Sequence, residues 1–109
     1  EIKSPFNSND YIYVDDVVDV FVKETLNDFS SGIFNIGSGV STSVVKICRL
    51  AEKIVLNSSF LSDKIEAEIF LEQSKVNFWA STIKVNKYFN WSPKIGLVDG
   101  IKKTWASLK

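Results

Sequence analysis

Residues 33–57, "IFNIGSGVSTSVVKICRLAEKIVLN", constrain the fold more than any other stretch. The apolar run 33–36 lies between Gly32 and Gly37 and reads as a short strand. The small residues 37–43 then form a turn. Beyond them Val44, Ile47, Leu50, Ala51, Ile54 and Val55 recur at helical spacing, which predicts a helix over 43–57, with Ser41, Thr42 or Ser43 offering the N-cap oxygen. Each element is apolar on one side only and has to bury that side. An α/β layered arrangement meets that need.

The rest of the chain continues the alternation. Residues 1–9 form a polar lead-in with Pro5 as a breaker. "YIYV" (11–14) is a β-prone run. Asp15 and Asp16 precede Val17, Val18, Phe21, Val22 and Leu26, an apolar stripe on a helix of about three turns. "IEAEIFL" (65–71) alternates as a half-exposed strand. A short helix is expected over 81–90, with Asn90 as its left-handed stop. A last helix is expected over 97–108, with Leu97, Ile101, Trp105 and Leu108 on one face. Strand, helix, strand, helix, strand, helix, helix reads as the end of a larger α/β domain, and residues 1–109 as a single segment of it.

Composition narrows the chemistry. A chain of 109 residues supports one modest core. Thirteen basic and thirteen acidic residues leave no basic surplus, so nucleic acid is not an expected partner. No apolar run reaches membrane-spanning length, and no signal-peptide pattern opens the chain. There is no histidine, which excludes Ser–His and Cys–His pairs within this chain. It also excludes a Cys/His zinc site, and no metal is expected. The lone cysteine, Cys48, fits a reducing, cytoplasmic setting and reads as a buried structural thiol. The opening Glu1 and the absence of methionine point to a piece of something longer.

The aspartates of "DYIYVDDVVDVF" (10–21) invite a metal or acid–base reading. Adjacent side chains at a strand-to-helix junction diverge, however, and capping of the free helix N–H groups by Asp15 or Asp16 is favoured. "FNIGSGVSTS" resembles a phosphate loop, but Gly37 and Gly39 lack a third glycine at dinucleotide spacing and no Walker lysine follows. A tight turn accounts for both glycines. Trp91 and Trp105 read as core. Trp79, between Phe78 and Ala80, stays open between core and stacking surface.

Three segments in order, "DYIYVDDVVDVF", "GIFNIGSGVSTSVVKI" and "FWASTIKVNKYFNWSPKIGLVDGIKKTW", resemble the C-terminal part of the extended short-chain dehydrogenase/reductases. More narrowly, they resemble the NAD-dependent epimerase/dehydratase group of UDP-galactose 4-epimerase-like nucleotide-sugar enzymes. The resemblance covers about residues 9 to 106. It implies an N-terminal Rossmann part that binds NAD(P), outside this chain, and a smaller substrate-side part here. It also implies hydride transfer between a sugar carbon and nicotinamide. The family's Y-x-x-x-K pair is absent, since Tyr11, Tyr13 and Tyr88 have no lysine four residues on. No catalytic or cofactor-binding residue is therefore expected in this chain.

Residue by residue, the resemblance makes Asp15 and Asp16 a structural helix start, and Asn35, Gly37 and Gly39 a strand end and its turn. Lys84 falls in the family's "AD-x-S-K" helix, where Ser81 replaces the aspartate. Asn90 and Trp91 match its corner, and Gly100 its final helix. Family arginines that contact the nucleotide diphosphate correspond to Asn9 and to Phe70 or Leu71. Loss of their bidentate charge puts the nucleotide in question. Asn9, Leu71 and Trp79 are the expected substrate-facing residues, a nucleotide-sugar the expected ligand, and a homo-oligomer the expected assembly. Self-association is expected through an unpaired edge at 33–36. The rivals are a non-catalytic dinucleotide sensor or protein-binding relative, and a small autonomous binding module.

Overall fold

The computed structural model describes residues 6–27, 31–58 and 76–109. In chain order the elements are β1 (Ser8–Asp10), α1 (Val14–Leu26), β2 (Ser41–Ser43), α2 (Val44–Leu56), α3 (Ile83–Phe89) and α4 (Leu97–Ser107). The architecture is α/β, as the alternation implies. The expected strand over 65–71 lies outside the described residues.

The sheet differs from the expectation. "YIYV" forms no strand. The pairing segment is the polar tripeptide before it, with Ser8 opposite Ser43, Asn9 opposite Thr42 and Asp10 opposite Ser41 in antiparallel register. The small residues expected as a turn thus supply β2. On its other side β1 meets residues 76–78: the N–H of Ser8 donates to the Val76 carbonyl at 2.7 Å and that of Phe78 to the Ser8 carbonyl at 3.1 Å. Three short backbone segments therefore meet at β1, and side-chain hydrophobicity says nothing of such pairing.

"IFNI" (33–36) pairs with no described strand and is held by side chains instead. Lys84 Nζ donates to the Ile33 carbonyl at 2.8 Å and lies 4.6 Å from the centre of the Phe34 ring. Phe34 in turn packs against Phe89 with ring centroids 5.0 Å apart.

The core is small: Val20, Val85, Phe89 and Trp91 are buried, with Ile12, Phe34 and Ile36 against them. It lies where α1 meets α3, while α2 packs on α4. The face of α1 that enters it is not the expected one. Val20 and Asp16 are buried, whereas Val18, Phe21, Val22 and Leu26 of the apolar stripe are exposed, Leu26 by 80%. Part of that stripe borders an open groove of about 420 Å³ lined by Val17, Phe21, Phe34, Ile36 and Phe89. No described element covers it.

Helix ends follow local chemistry. Ser43 Oγ accepts from the Lys46 N–H at 3.3 Å and so caps α2. Asn57 and Asn90 end α2 and α3 with φ of 51° and 47°, the left-handed region that asparagine enters more readily than other non-glycine residues.

Candidate functional site

The sheet edge is organised by a residue that composition and motif reading passed over. Asp10, the last residue of β1, turns its carboxylate into the glycine turn. Oδ1 accepts from the Ser38 N–H at 2.7 Å and from the Ser38 hydroxyl at 2.5 Å. Oδ2 accepts from the Gly39 N–H at 2.9 Å and the Ala80 N–H at 3.0 Å. Burial pushes the carboxyl up. The Ser38 hydroxyl, then the N–H groups of Ala80, Ser38 and Gly39, outweigh it, and the group is held below its ordinary value.

Two glycines make this possible for different reasons. A Cβ on Gly37 would stand 2.5 Å from Asp10 Oδ2 and 2.7 Å from the Ala80 Cβ, so only glycine admits the carboxylate. Gly39 has φ +76°. The turn thus satisfies part of the phosphate-loop description, because its N–H groups do converge on an anion. That anion is the chain's own carboxylate, and the Ser38 and Gly39 amides are spent on it. These residues do not fit a dinucleotide phosphate. The signal available in the sequence was a glycine turn rich in free N–H groups and a lone carboxylate ending a polar strand.

Asn9 and Trp79 flank this clamp. Both are exposed, Trp79 by 58%. Asn9 Nδ2 is 3.5 Å from the Tyr11 hydroxyl. The parallel Ser8–Asn77 bridge brings the segment that carries Phe78 and Trp79 alongside the one that carries Asn9 and Asp10. The edge therefore carries an amide, a phenol and two exposed aromatic rings, since Phe78 is also open. Such a set can hydrogen-bond and stack, but it holds no cation. Leu71 lies outside the described residues.

The other singled-out residues lie apart from this edge. Asp15 is exposed, with its carboxylate 4.0 Å from Lys103 Nζ. Asp16 is buried, and neither aspartate caps α1, whose N-cap is Tyr13 with no side-chain bond. The reason is direction: Asp16 faces the 91–95 corner, where its carboxylate accepts from the N–H groups of Lys94 at 3.0 Å and Ile95 at 2.9 Å. Trp91 is buried in the core, and Asn86 Nδ2 donates to its carbonyl at 3.1 Å. The Asn90 carbonyl accepts from Lys23 Nζ at 3.2 Å. Gly100 is buried against the Tyr13 ring, and Asn35 is exposed beside Phe34. Among the described residues no group of three acidic, cysteine or histidine side chains is placed to hold a metal. No described helix is long and apolar enough to cross a membrane.

The fold matches one segment of Rossmann-like, extended short-chain dehydrogenase/reductase structures, and the sequence resemblance is borne out. The chain is 28% identical over 102 residues to the UDP-glucose 4-epimerase of Mycolicibacterium smegmatis, covering 90% of this chain and 30% of that protein. It superposes on the UDP-glucuronic acid 4-epimerase of Bacillus cereus, solved with NAD, with a TM-score of 0.68 and 22% identity, over 92% of this chain and 29% of the other. It also superposes on the Bordetella bronchiseptica enzyme WbmF, solved with NAD+ and UDP, with a TM-score of 0.74 and 22% identity, over 98% and 31%. No family model matches the chain. The chain spans about a third of the length of the relatives it matches.

Proposed function

We propose that this chain is the substrate-side, C-terminal portion of an NAD(P)-dependent nucleotide-sugar epimerase, dehydratase or reductase. The observation that carries the reading is the likeness over nine-tenths of the chain to a nucleotide-sugar epimerase, in sequence and fold together. The edge supports it, because an exposed amide and exposed aromatic rings on adjoining segments suit a base and its sugar. Leu71 is proposed as a further substrate-binding residue. In this reading the cofactor and the tyrosine–lysine pair belong to a Rossmann part that this chain does not contain. The open stripe of α1 and the run 33–36, which belongs to no described strand, are the surfaces that part would cover. Asn9 supplies hydrogen bonds without charge, so in this reading the diphosphate is held by neutral donors, by basic residues outside the described ones or by groups outside the chain.

The test is titration of the 109-residue chain with UDP-, CDP- and dTDP-sugars, followed by the Trp79 indole resonance. Saturable shifts at Trp79 and Asn9 are expected for one nucleotide class. Shifts only with free NAD would favour the second reading, a non-catalytic dinucleotide sensor. The uncharged Asn9 lends that reading its support.

A further inference from the structure

Beyond the general reading of this edge, the structure singles out the residue that assembles it. Asn9 and Trp79 lie 70 positions apart in sequence and on separate backbone segments. Among the described residues, and apart from the Asp10 carboxylate, few hydrogen bonds join these segments: the Ser8 N–H donates to the Val76 carbonyl, the Phe78 N–H to the Ser8 carbonyl and the Val76 N–H to Asn7 Oδ1. A sheet margin held by so few bonds is free to slide or fray. The Asp10 carboxylate removes that freedom. It follows Asn9 directly, grips the N–H of the residue that follows Trp79, and anchors both to the Ser38–Gly39 turn that leads into β2 and α2. Gly37 is bare so that this approach can occur.

We propose that Asp10 is a positioning residue. Its carboxylate fixes Asn9 and Trp79 relative to one another, and a ligand on that edge is felt by Asp10 without touching it. The ligand class rests on the nucleotide-sugar reading above. The positioning does not.

The experiment compares the 109-residue chain with its Asp10→Asn and Ser38→Ala variants by amide exchange and indole resonances, with UDP-glucose as the probe. Asparagine keeps the shape but sets an NH2 group against N–H donors. Loss of charge-assisted bonds of this kind is worth roughly tenfold in an equilibrium. Exchange at Ser38, Gly39 and Ala80 should therefore rise by about that factor in Asp10→Asn, and the Trp79 indole should move. The Trp91 indole, bonded to the Asp16 carbonyl, should stay in place. UDP-glucose should bind several-fold more weakly. Ser38→Ala removes the hydroxyl's bond to Asp10 and its contacts with Val40 but leaves the three N–H bonds to the carboxylate, and should shift the same signals less.

If the Trp91 indole moves as far as Trp79 in both variants, Asp10 is a general stabiliser and the proposal falls. It falls equally if neither variant moves Trp79. Should Asp10→Asn fail to fold, Ser38→Ala decides alone by the same comparison. If the unaltered chain ignores UDP-glucose, the nucleotide-sugar reading fails while exchange and Trp79 still settle the positioning.

Discussion

The indole N–H of Trp91 donates to the main-chain carbonyl of Asp16 at 3.1 Å, joining residues 75 positions apart inside the core. The Asp16 side chain reaches the same corner, bonding Lys94 and Ile95. One residue of α1 thus fixes the whole 91–95 turn, with backbone at one end and carboxylate at the other.

Asp16→Ala should therefore be among the most damaging single changes. It leaves two part-buried N–H donors without acceptors, at a cost of about 2–4 kcal/mol. Urea unfolding of the variant should show a lower midpoint at an unchanged slope. A loss within a few tenths of a kcal/mol would mean that water replaces the carboxylate.

Gly37→Ala should destabilise by about 1–3 kcal/mol, because the added methyl meets a carboxylate oxygen and a neighbouring Cβ that are both fixed. Combined with Asp10→Ala the cost should shrink, since one of the two obstacles has gone. A double-mutant cycle reads this directly, and strict additivity would count against the close approach.

How much of this was legible beforehand differs from residue to residue. The α2 helix and its serine cap were readable because period and capping are local properties. The left-handed stop at Asn90 is local in the same sense. The α1 stripe was legible as a pattern, but its outcome was not. Periodicity says which side is apolar, and Val20 with Asp16 entered the core while Phe21 and Leu26 stayed open. The sheet was misplaced because Ser8–Asp10 and Ser41–Ser43 pair through backbone alone. Asp10 was missed for a related reason: three of its four hydrogen bonds come from main-chain N–H groups, and those carry no letter in a sequence.

Acid should act on the edge through Asp10. Its folded pKa lies below the unfolded reference of 3.8, so its contribution to stability is fully present above that value. The contribution is lost as pH falls through the lower, folded value. The stability gap between the unaltered chain and Asp10→Asn should thus be constant at neutral pH and close in the acid range below 3.8. Denaturation curves for both proteins across that range check the sign.

Lys84 joins α3 to the 33–36 run by one hydrogen bond and by its place over Phe34. At an exposed position these are worth about 0.5–1 kcal/mol together. Lys84→Met should lose that amount, while Lys84→Arg should retain the ring contact. Thermal melts of the two variants discriminate them.

The open stripe of α1 should make the 109-residue chain associate with itself when no other surface covers it. Sedimentation at rising concentration should show dimers or larger species. Phe21→Lys with Leu26→Lys should reduce them without lowering helix content. A monodisperse monomer at high concentration would contradict this.

The ties from Asp16 to residues 91, 94 and 95 also set an order of events in synthesis. The buried side of α1 meets this corner only once residues 91–95 have left the ribosome. Until then α1 is an amphipathic helix with both apolar surfaces in water, the state in which chaperones recognise a chain. Closing so long a loop delays this part of the core until residues 91–95 are made, so a truncation before residue 91 removes the anchor of the first helix along with the last.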